Sequence, residues 1–140
     1  MSSLVVHKGG CHCGKVRYEV KAPTILDCLE CNCSICVKKQ NMTFIVPNKH
    51  FKLLYGQEEL AVYTFNTHVA KHTFCRHCGV QSFYHPRSNP DGVGVMPHCL
   101  DPGTVEGMKI EKFDGHNWES TMLEEGDAIS SRSKICNFLK

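Results

Sequence analysis

Seven of the ten cysteines lie in three tight clusters: Cys11-His12-Cys13, Cys31-Asn32-Cys33-Ser34-Ile35-Cys36 and Cys75-Arg76-His77-Cys78. Cysteines one or two residues apart are poorly placed to bridge each other, but they can turn their sulfurs toward one ion. Four thiolates at about 2.3 Å close a tetrahedral zinc site, and three leave a position open for water or substrate. The clustered ligands divide into four plus three. The expectation is one structural and one reactive Zn2+, two per chain.

Cys75-x-x-Cys78-Gly79 falls between two expected strands and reads as a zinc knuckle. Cys11-x-Cys13-Gly14, just before a strand, supplies the other half. Two ordinary buried cysteines are the plain alternative for either pair alone, and their co-occurrence favours metal. Cys31-x-Cys33-x-x-Cys36 places three ligands in six residues, expected on one loop. It suits a three-coordinate zinc whose open face takes a thiol as thiolate, because coordination deprotonates the sulfur. The alternative is a second closed site with Cys28, His98 or Cys99 as fourth ligand. His98 is also a candidate pocket acid or base, against a histidine merely satisfied at a strand end.

The elements that must position these sulfurs read as mostly β. Val16, Tyr18 and Val20 alternate with Arg17, Glu19 and Lys21, a half-buried strand. Further strands are expected at 42–46, 51–54, 60–65, 69–74, 80–84, 93–96 and 110–113, separated by turn signals such as Asp101-Pro102-Gly103. One short helix is expected at 118–125, then a polar, loosely packed tail from Gly126 that carries Cys136 as a free thiol. Trp118 and the phenylalanines are assigned to the core.

A length of 140 residues bounds the fold to one domain, and a formal charge of +2 gives no strong nucleic-acid signal. No apolar stretch approaches the ~18 residues of a membrane span, and the first residues lack the apolar run of a signal peptide. The expected setting is therefore reducing and intracellular, cytoplasmic and/or nuclear, where clustered cysteines more often bind metal than form disulfides.

The segments Gly10-Cys11-His12-Cys13-Gly14-Lys15-Val16-Arg17-Tyr18, Cys31-Asn32-Cys33-Ser34-Ile35-Cys36 and Thr73-Phe74-Cys75-Arg76-His77-Cys78-Gly79 resemble the glutathione-dependent formaldehyde-activating enzyme family. Phe44-Ile45-Val46-Pro47 and Pro97-His98-Cys99-Leu100-Asp101 are similar to its centromere protein V branch. The resemblance implies a zinc-bound β-tent-like fold of small antiparallel sheets with little helix, over residues 8–119, followed by a tail at 120–140. It implies a structural zinc on Cys11, Cys13, Cys75 and Cys78 and a catalytic zinc on Cys31, Cys33 and Cys36. It implies a carbon–sulfur lyase that makes or cleaves S-hydroxymethylglutathione, with glutathione as cosubstrate. Lys38, Lys39 and Arg87 could then meet glutathione carboxylates, or be ordinary surface charges. The alternative is a non-catalytic, zinc-stapled module for a cytoskeletal or centromere protein. Cys28 and Val37 depart from the family pattern, and a fourth sulfur from Cys28 would favour that module.

Overall fold

Burial alternates along Arg17–Ala22: Tyr18, Val20 and Ala22 are buried while Lys21 is exposed. In the computed structural model, which describes residues 3–134, this is the second of ten strands. In chain order they are β1 (Val5–Gly10), β2 (Arg17–Ala22), β3 (Ile25–Cys31), β4 (Met42–Pro47), β5 (Phe51–Tyr55), β6 (Leu60–Tyr63), β7 (His72–Cys75), β8 (Phe83–Tyr84), β9 (Gly92–Val95) and β10 (Gly107–Phe113). Helix α1 (Ser34–Lys39) follows β3, and α2 (Trp118–Ser130) follows β10. Cys136 lies outside the described residues.

The fold is mostly β, as expected, and is built from small sheets. Strands β1-β2-β5 form one antiparallel sheet, β10-β3-β4-β9-β8 a second, and β6-β7 a hairpin. The pairing of β10 with β3 is parallel, Gly107 opposite Ile25 through Phe113 opposite Cys31; the other strand pairs are antiparallel. Strands β1 and β3 and helix α1 were not anticipated from the sequence.

Two apolar clusters cover the faces of the five-stranded sheet. The larger joins Tyr18, Val20, Leu26, Cys28, Phe44, Phe83 and Val95. Tyr18, Phe51 and Phe83 pack ring to ring at 4.7–5.7 Å between centroids, and the Tyr18 hydroxyl donates to the Ser82 carbonyl at 3.1 Å. The smaller cluster joins Leu29, Ile45, Phe113 and Ile129, with Cys31, Trp118 and Met122 packed on it. It lies where α2 meets the sheet.

The expectation of a loose tail from Gly126 fails as far as Ser133. Helix α2 runs on to Ser130, and Ile129 and Ser133 are buried. The cause is Asn89, itself fully buried, whose Nδ2 donates to the Ile129 carbonyl and to Ser133 Oγ, both at 2.9 Å. A buried amide needs such partners, and the last turn of α2 supplies them.

Candidate metal centres and the adjoining cleft

The turn after β1 and the turn after β7 bring Cys11, Cys13, Cys75 and Cys78 together, with every Sγ within 4.8 Å of the others. Gly14 and Gly79 follow the second cysteine of each turn with φ of +83° and +78°, a region open to glycine. The Cys11–Cys13 and Cys13–Cys75 sulfurs are 3.6 Å apart. That is far beyond a disulfide bond. It is near the sulfur–sulfur edge of about 3.8 Å that a tetrahedron with ~2.3 Å zinc–sulfur bonds would have. Backbone N–H groups of Val16 and His77 donate to Cys11 Sγ and Cys75 Sγ at 3.4 Å. Desolvation opposes ionisation at Cys78, but the backbone N–H of Val80 and others outweigh it and bring that thiol to about 6.

The second cluster is Cys31, Cys33 and Cys36, their sulfurs also mutually within 4.8 Å. They do not share one loop. Cys31 ends β3, Cys33 caps α1 with extended backbone (φ −65°, ψ 167°), and Cys36 is a buried residue of α1. The Cys33 N–H donates to Cys31 Sγ at 3.5 Å. Three crowded sulfurs compete for one negative charge. Hydrogen bonds from Cys31 and then Cys36 hold the Cys33 thiol low, while the bonds to Cys33 push Cys31 up to about 11. Cys36 is raised by the same two neighbours. All-sulfur donor sets of this kind suit zinc, and each cluster could hold one ion.

A chain of side chains supports Cys36 from behind. Asn41 Nδ2 donates to Cys36 Sγ at 3.6 Å, Gln81 Nε2 donates to Asn41 Oδ1 at 3.2 Å, and Lys39 Nζ donates to Gln81 Oε1 at 2.9 Å. Asn41 and Gln81 are buried. Gly115 closes the other side: a Cβ there would sit 2.5 Å from Cys31 Sγ and 2.9 Å from Cys33 Cβ, so only glycine lets that backbone approach the sulfurs.

The three sulfurs form part of the wall of a cleft of about 260 Å3. His72 lines it, 2% exposed, its ring stacked on Tyr84 (5.2 Å, 13°) and on Phe65 (5.7 Å, 28°). Its Nδ1 has no hydrogen-bond partner. Burial, with Lys39 adding to it, lowers the His72 pKa, so the ring is neutral. Burial and then the nearby cysteines raise the Tyr84 pKa, so its phenol remains an O–H donor. The Arg87 guanidinium lies 3.6 Å over the Trp118 ring and donates to Glu119 Oε1 at 3.1 Å.

Of the residues singled out in the sequence, Arg87 lines the cleft, whereas Lys38 and Lys39 do not. Lys39 is engaged by Gln81 and the Phe74 ring. His98 is exposed in the 3-10 turn Pro97–Cys99 and borders a separate hollow that also reaches Cys31 and Cys36. Neither His98 nor Cys99 joins the sulfur cluster, and Cys28 sits in the larger core. His72, Tyr84, Asn41 and Gly115 are not singled out by the sequence as site residues: none lies in a ligand motif, and their places depend on distant strands. No described helix is long and apolar enough to cross a membrane.

A model of the glutathione-dependent formaldehyde-activating enzyme family matches residues 6–119. The chain belongs to that family. It is also similar to a Rhodobacter sphaeroides protein of known crystal structure, with 35% sequence identity and a TM-score of 0.63, over 73% of this chain and 99% of that one.

Proposed function

We propose that this member of the glutathione-dependent formaldehyde-activating enzyme family is a zinc-dependent carbon–sulfur lyase that makes or cleaves S-hydroxymethylglutathione. The observation that supports this reading is the three-sulfur cluster in a cleft wall, with no fourth ligand atom within 4.8 Å of all three sulfurs among the described residues. Cys31, Cys33 and Cys36 would hold a zinc ion, and an ion there would stabilise a thiol as thiolate at neutral pH.

In the forming direction the glutathione sulfur adds to the carbonyl carbon of formaldehyde. The C–S bond forms, the π pair moves to oxygen, and the proton given up by the thiol ends on that oxygen. Cleavage is the reverse. The chain's own part is to orient and to satisfy the polar atoms. Tyr84 lines the cleft with a neutral phenol bonded to Thr43, a donor that could turn to the oxygen as charge develops there. His72 Nδ1, buried without a partner, is the group that the substrate hydroxyl satisfies. Arg87 lines the cleft but is stacked on Trp118 and paired with Glu119, so the charged ends of glutathione lie outside it. The apolar walls exclude water and hold the two reactants together, which for a two-substrate addition is a large share of the barrier. Cys11, Cys13, Cys75 and Cys78 hold the second zinc as a staple. The interaction-module alternative needs a closed second site, and Cys28 is not available to close it.

Calorimetric titration of the metal-replete protein with glutathione tests this. Binding should release about one proton near pH 7, since a free thiol has a pKa near 8.5 and the metal takes only the thiolate. S-methylglutathione, with no proton to lose, should bind far more weakly. Absence of glutathione binding to protein carrying both metals contradicts the reading.

A further inference from the structure

The cleft beside Cys31, Cys33 and Cys36 is larger and more apolar than a hydroxymethyl group requires. That group has two non-hydrogen atoms, about the bulk of two waters, or roughly 60 Å3 at ~30 Å3 each. The cleft measures about 260 Å3. Leu29, Ile45, Phe113 and Ile129, one continuous buried cluster, line it, and Phe65 and Tyr84 add aromatic faces. An apolar cavity of roughly 150 Å3 already accommodates a benzene ring.

Charge decides which part of the adduct goes there. Glutathione carries two carboxylates and one ammonium at neutral pH, and each must keep water or a partner. Among the described residues lining the cleft, Arg87 is the only lysine or arginine, and none is acidic. Arg87 is already stacked on Trp118 and paired with Glu119. No carboxylate in the lining is there for the ammonium. The ends of the tripeptide therefore lie outside this cleft, in solvent or in the separate hollow that reaches Cys31 and Cys36 and is lined by Glu30, Lys112 and Glu125; its sulfur reaches the cysteine cluster, and the apolar chamber is left for the substituent of the carbonyl compound.

Resting on the lyase reading above, we infer that the carbonyl substrate is an apolar aldehyde of about the size of benzaldehyde, and that the adduct is an S-(1-hydroxyalkyl) or S-(hydroxybenzyl) derivative of glutathione. The chemistry is the same addition. The C–S bond forms, the C=O π bond breaks, and the thiol proton ends on the new hydroxyl, with no change of oxidation state overall and no further reactant.

Trp118 is the one tryptophan in the sequence and lines the cleft, so its emission reports occupancy. The metal-replete full chain is given glutathione with either formaldehyde or benzaldehyde, and adduct formation is followed by exchange NMR beside Trp118 fluorescence. The expected result is at least a tenfold larger kcat/KM for benzaldehyde, with Trp118 emission changed by the benzaldehyde adduct. Ala70 is half-buried in the cleft wall, and Ala70→Phe should lower the benzaldehyde-to-formaldehyde ratio at least tenfold. Turnover of formaldehyde alone overturns this inference and leaves the lyase reading standing. Turnover of neither aldehyde overturns both. A preference for benzyl mercaptan with formaldehyde over glutathione with benzaldehyde assigns the chamber to the thiol and overturns the aldehyde assignment.

Discussion

Cys28 and Cys31 stand three residues apart on β3 and face opposite sides of the sheet. Cys28 is fully buried in the core with Tyr18 and Phe44, whereas Cys31 lines the cleft with Cys33 and Cys36. Side chains alternate along a strand, so positions i and i+3 diverge. The same C-x-x-C spacing brings two sulfurs together in the turn of Cys75 and Cys78 and cannot do so along β3. Burial pushes the Cys28 thiol up to about 11, as for a small apolar side chain. Cys28→Ser should keep the full metal content and lose roughly 1–3 kcal/mol of stability, the cost of an unpartnered buried hydroxyl. Elemental analysis and urea unfolding check both. Loss of one metal equivalent would make Cys28 a ligand.

The two clusters should differ in what they do for folding. Cys13 and Cys75, 62 residues apart, meet at the four-sulfur site. Binding energy of a structural zinc is folding energy, on the order of 10 kcal/mol in small zinc modules. Cys75→Ser should therefore unfold or aggregate. Cys33→Ser should lose one metal and keep its sheets, because β3, β4 and β9 pair independently of that sulfur. Equal loss of circular dichroism in the two variants would contradict this division.

The Asn41 amide ties Cys36 to Gln81 and, through it, to Lys39. Groups that orient a metal ligand typically govern affinity by ~10–100-fold. Asn41→Leu should weaken metal binding at the three-sulfur cluster by that order and leave the four-sulfur site untouched. Competition with a chromogenic chelator resolves the two sites. Unchanged affinity at the three-sulfur cluster would show that the amide chain does not orient Cys36.

Both clusters were legible because chelation forces short spacings that survive any fold. The alternation of Tyr18, Val20 and Ala22 made β2 legible for the same kind of reason. Strand β3 was not, because its covered face switches within the strand: Leu26 and Cys28 are covered by one core and adjacent Leu29 by the other, which breaks the period of two. Helix α1 has six residues, too few for a helical period. His72 and Asn41 acquire their roles from rings and amides contributed by Phe65, Tyr84 and Gln81, which the sequence does not place beside them.

Burial holds the His72 pKa below its ordinary value near 6.5. The unfolded chain then binds more protons than the folded one just below that pH, and stability falls as pH drops through 6.5. Above it the contribution is constant. The slope from one such group is at most about 1.4 kcal/mol per pH unit. The parent should lose stability relative to His72→Phe between roughly pH 7 and 5, read as the difference of denaturation midpoints, in which metal effects common to both cancel. Parallel curves would show His72 to be as easily protonated in the fold as in the open chain.

If the protein is the proposed lyase, the three-sulfur cluster accelerates exchange between glutathione, an aldehyde and their adduct. Exchange NMR on an equilibrated mixture of glutathione and formaldehyde measures the forward and reverse rates at once, against the uncatalysed reaction. Metal-replete protein should raise both rates by the same factor, in proportion to its concentration, and Cys33→Ser should abolish the increase. Rates equal to those of the protein-free mixture, with both metals bound and glutathione in place, would contradict it.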